Sequence, residues 1–454
     1  MKRTFAIGFL LFIFLGVAAP PAFAWTQVAE KQLAYQPQDE IEPALIAYTN
    51  FGVEYVASVW MNFDPNINTP STLHYTAWTV GGNSLTTTGT IPTVAGYSRY
   101  ADPVLVKHPT LNRIFLVAVA RNDAPDPIDP DLTVTRTAIV VWYSNNAGWD
   151  WSSGRVVASD SYRSDSTAID LDKPVAATGP DGRLWVSYIR GVGNTNYLLV
   201  RNGTASGSPL TWSWSSASTV TSGAPSAPQI AVDSNGDVYV LATRSTGSIG
   251  FWRDDAQDAN GVSFAALPFI PNVGTLYRTS PASDLNVGSG VIVRAVTVPI
   301  MKLDRAHRRI SVVWHESNGA GATRLQYAVW RLDTAVWSNV TFAAGGGVHH
   351  INVGLDYDAA GNVLVTWYRF GGSSTYTNAG KFVTFDANHN PQWVSDNAIT
   401  NRLGDAANLT ADGTGRRYIG EYHEVSYTNN KFYAAHIVAV LPWSDPWVFT
   451  VSQP

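Results

Sequence analysis

The chain of 454 residues contains no cysteine. Disulfides and thiolate metal sites are therefore excluded, and stability has to come from packing. Charge is scarce as well: Asp, Glu, Lys and Arg make up 14% of the residues, with a formal net charge of −5. That excludes the dense basic surface which nucleic acids and anionic membranes reward. No amphipathic stretch is long enough to announce a helix, and beyond the first residues no apolar run approaches the ~20 residues that span a bilayer. What remains is rich in aromatics (12%, with 17 Trp), 37 Gly and 25 Pro. Val, Thr, Tyr and Trp stand in short runs broken by Gly, Asn, Asp and Ser, the pattern of an all-β chain with many short strands.

The first residues read as processing rather than structure. Lys2 and Arg3 precede an apolar run from Phe5 to Ala18, and Ala22-Phe23-Ala24 supplies a small-x-small cleavage site. We expect a signal peptide at 1–24, cleavage before Trp25, and a mature protein that is secreted or periplasmic, soluble and monomeric. Losing Lys2 and Arg3 takes the net charge from −5 to −7.

One pattern recurs through the remainder: a strand often opening at proline, a polar turn, then a strongly apolar strand. It reads "EPALIAYTNFGVEYVASVWM" from Glu42 and "DPVLVKHPTLNRIFLVAVAR" from Asp102. It returns from Lys173, Ala227, Val298 and Asn352, and ends as "EYHEVSYTNNKFYAAH" from Glu421. Intervals of roughly fifty to seventy residues suit a four-stranded propeller blade. Residues 25–454 are thus expected to form a single β-propeller domain of seven blades, with six as the alternative. Little chain follows the seventh copy, so "TQVAEKQLAY" near the start is expected to join the last blade and close the ring. The turns "GPDG", "DSNG" and "DAAG" punctuate inner hairpins.

The stretch "SNNAGWDW", Ser144–Trp151, follows the third strand of the second blade. Here the sequence resembles the sialidase-like, Asp-box (BNR repeat) propellers, whose repeat reads Ser-x-Asp-x-Gly-x-Thr-Trp. Ser144, Gly148 and Trp151 match, while Asn146 and Asp150 replace Asp and Thr. The resemblance implies that this turn is a structural fastener far from any active site. Sialidases open their first blade with Arg-Ile-Pro; the matching stretch here is Ile41-Glu42-Pro43, so the carboxylate-gripping arginine is absent. Glu421 and Tyr422 resemble the family's Glu-activated Tyr nucleophile, although in the family those two residues come from different blades.

Propeller ligands bind at the channel mouth. Aligning the copies puts Met61, Arg121, Arg190, Arg244, His315, Arg369 and His436 at one offset, closing the second strand. The offset before the repeat's proline holds Glu42, Asp102, Lys173, Ala227, Val298, Asn352 and Glu421. Period-two alternation predicts equivalent directions at equal offsets. A cationic arc of Arg121, Arg190, Arg244, Arg369 and His315, facing Glu42 and Asp102, would bind an acidic carbohydrate, since guanidinium forks fit carboxylate or sulfate. The competing reading makes these arginines braces between blades.

If the protein is an enzyme, seven-bladed uronate polysaccharide lyases and glycoside hydrolases offer the nearest resemblance. His350, Tyr422, His423, His436 and Glu421 are then the catalytic candidates. A protein-interaction scaffold is the remaining alternative. His315-Glu316 cannot converge, because neighbours on a strand face opposite ways. The loop "NDAPDPIDPD" gathers Asp123, Asp126, Asp129 and Asp131, oxygen-rich enough for Ca²⁺ but in no established calcium-loop spacing. A solvated loop stiffened by prolines is the preferred reading, and no cofactor is expected.

Overall fold

The computed structural model describes residues 26–452 apart from 34–38, 65–68, 82–85, 208–209, 256–261, 278–283, 344–347, 387, 394–396, 410–415, 418, 422 and 441–442. The proposed signal peptide and Tyr422 lie outside the described residues.

Seven antiparallel blades of four strands, with an occasional fifth, follow one another along the chain, and a separate two-stranded hairpin, Asp284–Gly288 with Val291–Arg294, stands between the fourth and fifth. Blade 1 runs through Asp39–Asn50, Val53–Asp64, Thr69–Val80 and Thr86–Thr90. The innermost strands of blades 2 to 6 are Arg99–Lys107, Ile169–Thr178, Ser226–Val232, Ile300–Asp304 and His349–Tyr357. Blade 7 takes Val425–Thr428, Lys431–Val440 and Trp443–Ser452 from the end of the chain, and Thr26–Gln32 from its beginning as the outer strand. This is the expected seven-bladed ring, closed by pairing the two ends of the chain within blade 7. The helical structure among the described residues is one 3-10 turn, Ala406–Asn408.

Apolar faces meet between neighbouring blades. Middle strands are buried on both sides and therefore read as continuous hydrophobic runs: Ile114–Ala120 and Val238–Thr243 are buried at every residue. Between blades 1 and 2, Val59, Leu116, Val140 and Trp142 share one cluster. The inner hairpins turn as their sequences predict. Asp233 Oδ1 accepts from the backbone N–H groups of Asn235 and Asp237, and Asp358 Oδ1 from those of Ala360 and Asn362, while Gly236 and Gly361 take the positive φ that a side chain would resist.

Ser144–Trp151 folds into a turn closed by its own side chains. Asn146 Oδ1 accepts from Asp150 N–H at 2.9 Å, and Ser144 Oγ accepts from Gly148 N–H at 2.8 Å. Trp149 and Trp151 pack on the core between blades 1 and 2. Gly148 sits at φ 88°, and a Cβ there would stand 2.9 Å from the Ala57 Cβ.

Candidate functional site

The innermost strand of five blades opens with the same distortion. Glu42, Asp102, Lys173, Ala227 and Asn352 all sit at φ between 48° and 53°, and in each blade the pairing register slips at that point. Four of the five precede a proline, which disfavours helical backbone before it and cannot donate to the ladder. Left-handed backbone is costly for residues with a Cβ, so its recurrence at one station means the architecture imposes it. The consequence is a ring of side chains turned toward the axis.

Charged members of that ring meet across blades. Lys173 Nζ lies 2.5 Å from Glu421 Oε2 and 3.8 Å from Asp102 Oδ1. Arg294, from an extra hairpin between blades 4 and 5, holds the other Glu421 oxygen. Glu42 and Asp172 each hydrogen-bond Asp102. Four carboxyl groups thus surround two cations. Glu42 and Glu421 are fully buried, whereas Asp172 stands open to solvent, though deep among the surrounding strands.

The crowding splits these carboxyls into two kinds. Burial pushes Asp102 up to about 7, helped by Glu42 and Glu421 and opposed by Lys173. Asp172 is pushed to about 7 by the packed protein around it and by Asp102 and Glu421, again against Lys173. Burial also acts to raise Glu421, but the Lys173 and Arg294 charges outweigh it and hold that carboxyl below its ordinary value. Glu421 is therefore a fixed anion near neutrality while Asp102 and Asp172 exchange protons.

A testable consequence concerns stability. A carboxyl raised in the folded state contributes stability below its unfolded value of 3.8 and loses that contribution as pH rises through about 7. Asp102→Asn should therefore melt higher than the wild type at pH 8, by roughly 2–4 °C for a chain of this size. The gap should close on acidification to pH 4. Thermal denaturation followed by circular dichroism across that range decides it; a gap that widened at acid pH would refute the assignment.

Below this cluster the channel encloses a cavity of about 610 Å³, lined by Asp102, Lys173 and the apolar inner strands. A second ionic layer projects into it: Lys302 pairs with Glu424, beside Asp356, which burial pushes up to about 6 against the pull of Lys302. At the hairpin end, Arg305 donates to the carbonyls of Val232 and Thr178, tying blades 3, 4 and 5 together.

The arginines of the predicted arc stand in four separate settings. Residues facing the one before each bulge are Met61, Val119, Ile189, Thr243 and Tyr368. Arg190, Arg244 and Arg369 fall one residue past that station and Arg121 two, because the hairpins differ in length. One step reverses the blade face and two restore it. Accordingly Arg190 reaches back to Asp160 of blade 2 at 2.7 Å, while Arg121 lies 3.4 Å from Asp123 and 3.8 Å from Asp170 of the following blade. Arg244 stacks over Phe269, and Arg369 is exposed on blade 6. Equal sequence offset did not mean equal direction.

The predicted histidines are interior. His315 is fully buried, pushed to about 4 by that burial, with Nε2 3.3 Å from the Ala295 carbonyl. His423 and His436 lie ring to ring at 4.3 Å between blades 6 and 7; burial pushes His423 down to about 3. His423 shares a 2.5 Å hydrogen bond with Thr366, and His350 packs edge-on to Trp367. Of the catalytic candidates, Glu421 reaches the channel cluster. In the acidic loop, Asp126 Oδ1 accepts from Ile128 N–H, Asp126 pairs with Arg163, and Asp123 is shared by Arg99, Arg121 and Thr135. Asp129 Oδ1 accepts from Asp131 N–H. Among the described residues no group of three or more His, Asp or Glu is arranged to hold a metal ion.

Three members of the cluster escaped sequence reasoning, for two different reasons. Lys173 was visible at the repeat offset and Asp172 just before it, but the cationic arc was drawn from the arginines at the other offset. Arg294 lies outside every repeat and carries no local signal.

No protein-family model matches the sequence, and no curated protein sequence matches it. Solved structures with a similar arrangement include the Trypanosoma rangeli sialidase in complex with the inhibitor DANA, at 11% identity and a TM-score of 0.45 over 91% of this chain. The chain spans 55% of that sialidase's length. A Dyadobacter fermentans protein of unknown function matches at 10% identity and a TM-score of 0.47, over 96% of this chain and all of its own. A mutant of the Aleuria aurantia lectin in complex with α-methyl-L-fucoside gives 10% identity and a TM-score of 0.41, over 79% of this chain and 97% of the lectin. These are likenesses of fold at low identity.

Proposed function

We propose that the protein is an exported propeller that binds an acidic carbohydrate at its channel mouth, through Asp172, Lys173 and Asp102. The observation that supports this reading is the convergence of charged residues from blades 7, 1, 2 and 3 above a cavity of about 610 Å³. Carboxylates accept sugar hydroxyls, and Lys173 donates to ring or glycosidic oxygens. An acidic sugar brings its own carboxylate, which the ionised cluster would repel. A protonated Asp172 instead donates a short, charge-assisted hydrogen bond to that anion. Exposed Arg369 stands ready for a further acidic residue of a polymer.

The reading is tested by titrating the full mature chain with a uronate oligosaccharide in a calorimeter at pH 6 and pH 8. Binding should be tighter at pH 6, with proton uptake, because the ligand raises the Asp172 value further. Asp172→Ala should weaken binding at least about tenfold, the worth of one charge-assisted hydrogen bond. Asp172→Asn, which retains a donor, should bind with a flattened pH dependence. Absence of carbohydrate binding, or binding indifferent to Asp172→Ala, would discard the proposal.

One observation favours an enzymatic version. Carboxyls displaced in opposite directions, Asp172 upward and Glu421 downward, are what a proton donor and a charge-stabilising anion require in glycosidic bond cleavage. Release of reducing ends, or of ultraviolet-absorbing unsaturated products, from the same oligosaccharide would establish turnover. Its loss in Asp172→Asn would assign the proton donor.

A further inference from the structure

A second cavity lies away from the axis, in the groove between blades 3 and 4 at their hairpin-turn end. It encloses about 600 Å³. Two features set its chemistry. Its floor includes the edge of Trp185, 6% exposed, whose ring is otherwise packed among Val238, Val240 and Trp252. Its walls carry Asn202, Asn235 and Ser218 with the carboxylates Asp181 and Asp255.

Asp254 lines the groove as well. Asp181 lies 3.5 Å from Arg183, while Arg253, 3.6 Å from Asp255, is shared with Asp237. The groove is therefore mildly acidic and dense in groups that accept hydrogen bonds. An anion meets carboxylates there, and among the described residues no three of them are grouped to hold a metal ion. The partner such a surface fits is uncharged and polyhydroxylated, because vicinal hydroxyls satisfy amides, hydroxyls and carboxylates together.

The residue at position 179 strengthens the case. An ideal Cβ on Gly179 would stand 2.7 Å from Asp181 Oδ1 and 3.6 Å from Trp185 Nε1. Its backbone is not among those with positive φ; glycine is required by the close approach of Asp181 Oδ1, which accepts from Arg183 N–H at 3.0 Å. The same absence of a side chain leaves the approach to the Trp185 N–H open.

We propose that this groove is a second carbohydrate site, specific for a neutral hexose residue, with the Trp185 indole N–H and Asp181 as its polar floor. It does not depend on the channel-mouth reading, and the experiment keeps the two apart. Full-length mature protein labelled with ¹⁵N is titrated with methyl glucoside, galactoside and mannoside, and the indole N–H signal of Trp185 is identified by its loss in Trp185→Phe. The expected result is a saturable shift of that signal with at least one glycoside, with Kd on the order of 1–10 mM, as suits one sugar ring. Gly179→Ala should weaken it roughly tenfold by adding a methyl group over the indole N–H, and Asn202→Ala should weaken it as well. Asp172→Ala, at the channel, should leave it unchanged. No saturable shift with any of the three glycosides would overturn the proposal, and so would a shift indifferent to Gly179→Ala or one abolished by Asp172→Ala.

Discussion

Replacing Glu316 with alanine is expected to cost about 3–5 kcal/mol of folding stability, the toll of stripping one partner from a buried charge pair. The Glu316 carboxylate is fully buried and accepts from five donors. Oε2 takes the Trp314 indole N–H at 2.8 Å and the Gly274 backbone N–H at 2.7 Å. Oε1 takes both Arg324 nitrogens, at 2.8 and 2.7 Å, and the Gln326 amide at 2.9 Å. Alanine would leave the guanidinium and three neutral donors facing one another across a void. At about 2.1 cal/mol/K per residue, unfolding of a chain this long loses roughly 1 °C of midpoint per kcal/mol, so a fall of about 3–5 °C is expected. Glu316→Gln should fall between, since its NH₂ group must point at one of the same donors. Circular dichroism melts of both variants check the ordering; an unchanged midpoint for alanine would show the network to be dispensable.

Removing residues 26–33 should open the ring. Thr26–Gln32 pairs with Trp447–Ser452, and Leu33, 5% exposed, packs with Leu45, Trp60, Trp78 and Val448 between blades 7 and 1. Lys31 continues the contact into blade 1, donating to Thr86 Oγ1 at 3.0 Å and lying over the Trp78 ring. Without this strand the last blade presents an unpaired edge, the usual template for association between copies. Light scattering should detect oligomers that grow with concentration, and the melting transition should drop by at least the ~3–5 kcal/mol of a lost large core side chain. A synthetic peptide of residues 26–33, added in trans, should restore the monomer. A truncated chain that stays monomeric with the parental midpoint would mean that closure does not depend on this pairing.

How much was legible beforehand can be judged at individual positions. The inner-strand repeat was read correctly because its two strands and turn are local: Asp233 and Asp358 cap their hairpins within four residues. The acidic offset at Glu42 and Asp102 was legible too, because each precedes a proline at the same station in its blade. The arginine arc was not. Arg121 and Arg190 share a sequence offset, yet their hairpins differ by one register step, and one step on a strand exchanges the faces of a blade. His436 looked like a mouth residue by offset and His423 by its place beside Glu421, but they belong to the seam between blades 6 and 7, where burial keeps both imidazoles neutral.

By itself the sequence determined the all-β character, the sevenfold repetition and the identity of the residues at each blade's entrance. Period-two alternation, turn chemistry and the absence of cysteine act over a few residues and need no knowledge of neighbours. Tertiary structure alone decided which charges meet. Lys173, Glu421 and Arg294 are separated by more than a hundred positions along the chain and come together because the ring brings distant blades to one axis. The Asp102 and Asp172 protonation balance near pH 7 follows from that meeting, since burial and the distances between charges, which set it, are properties of the folded ring.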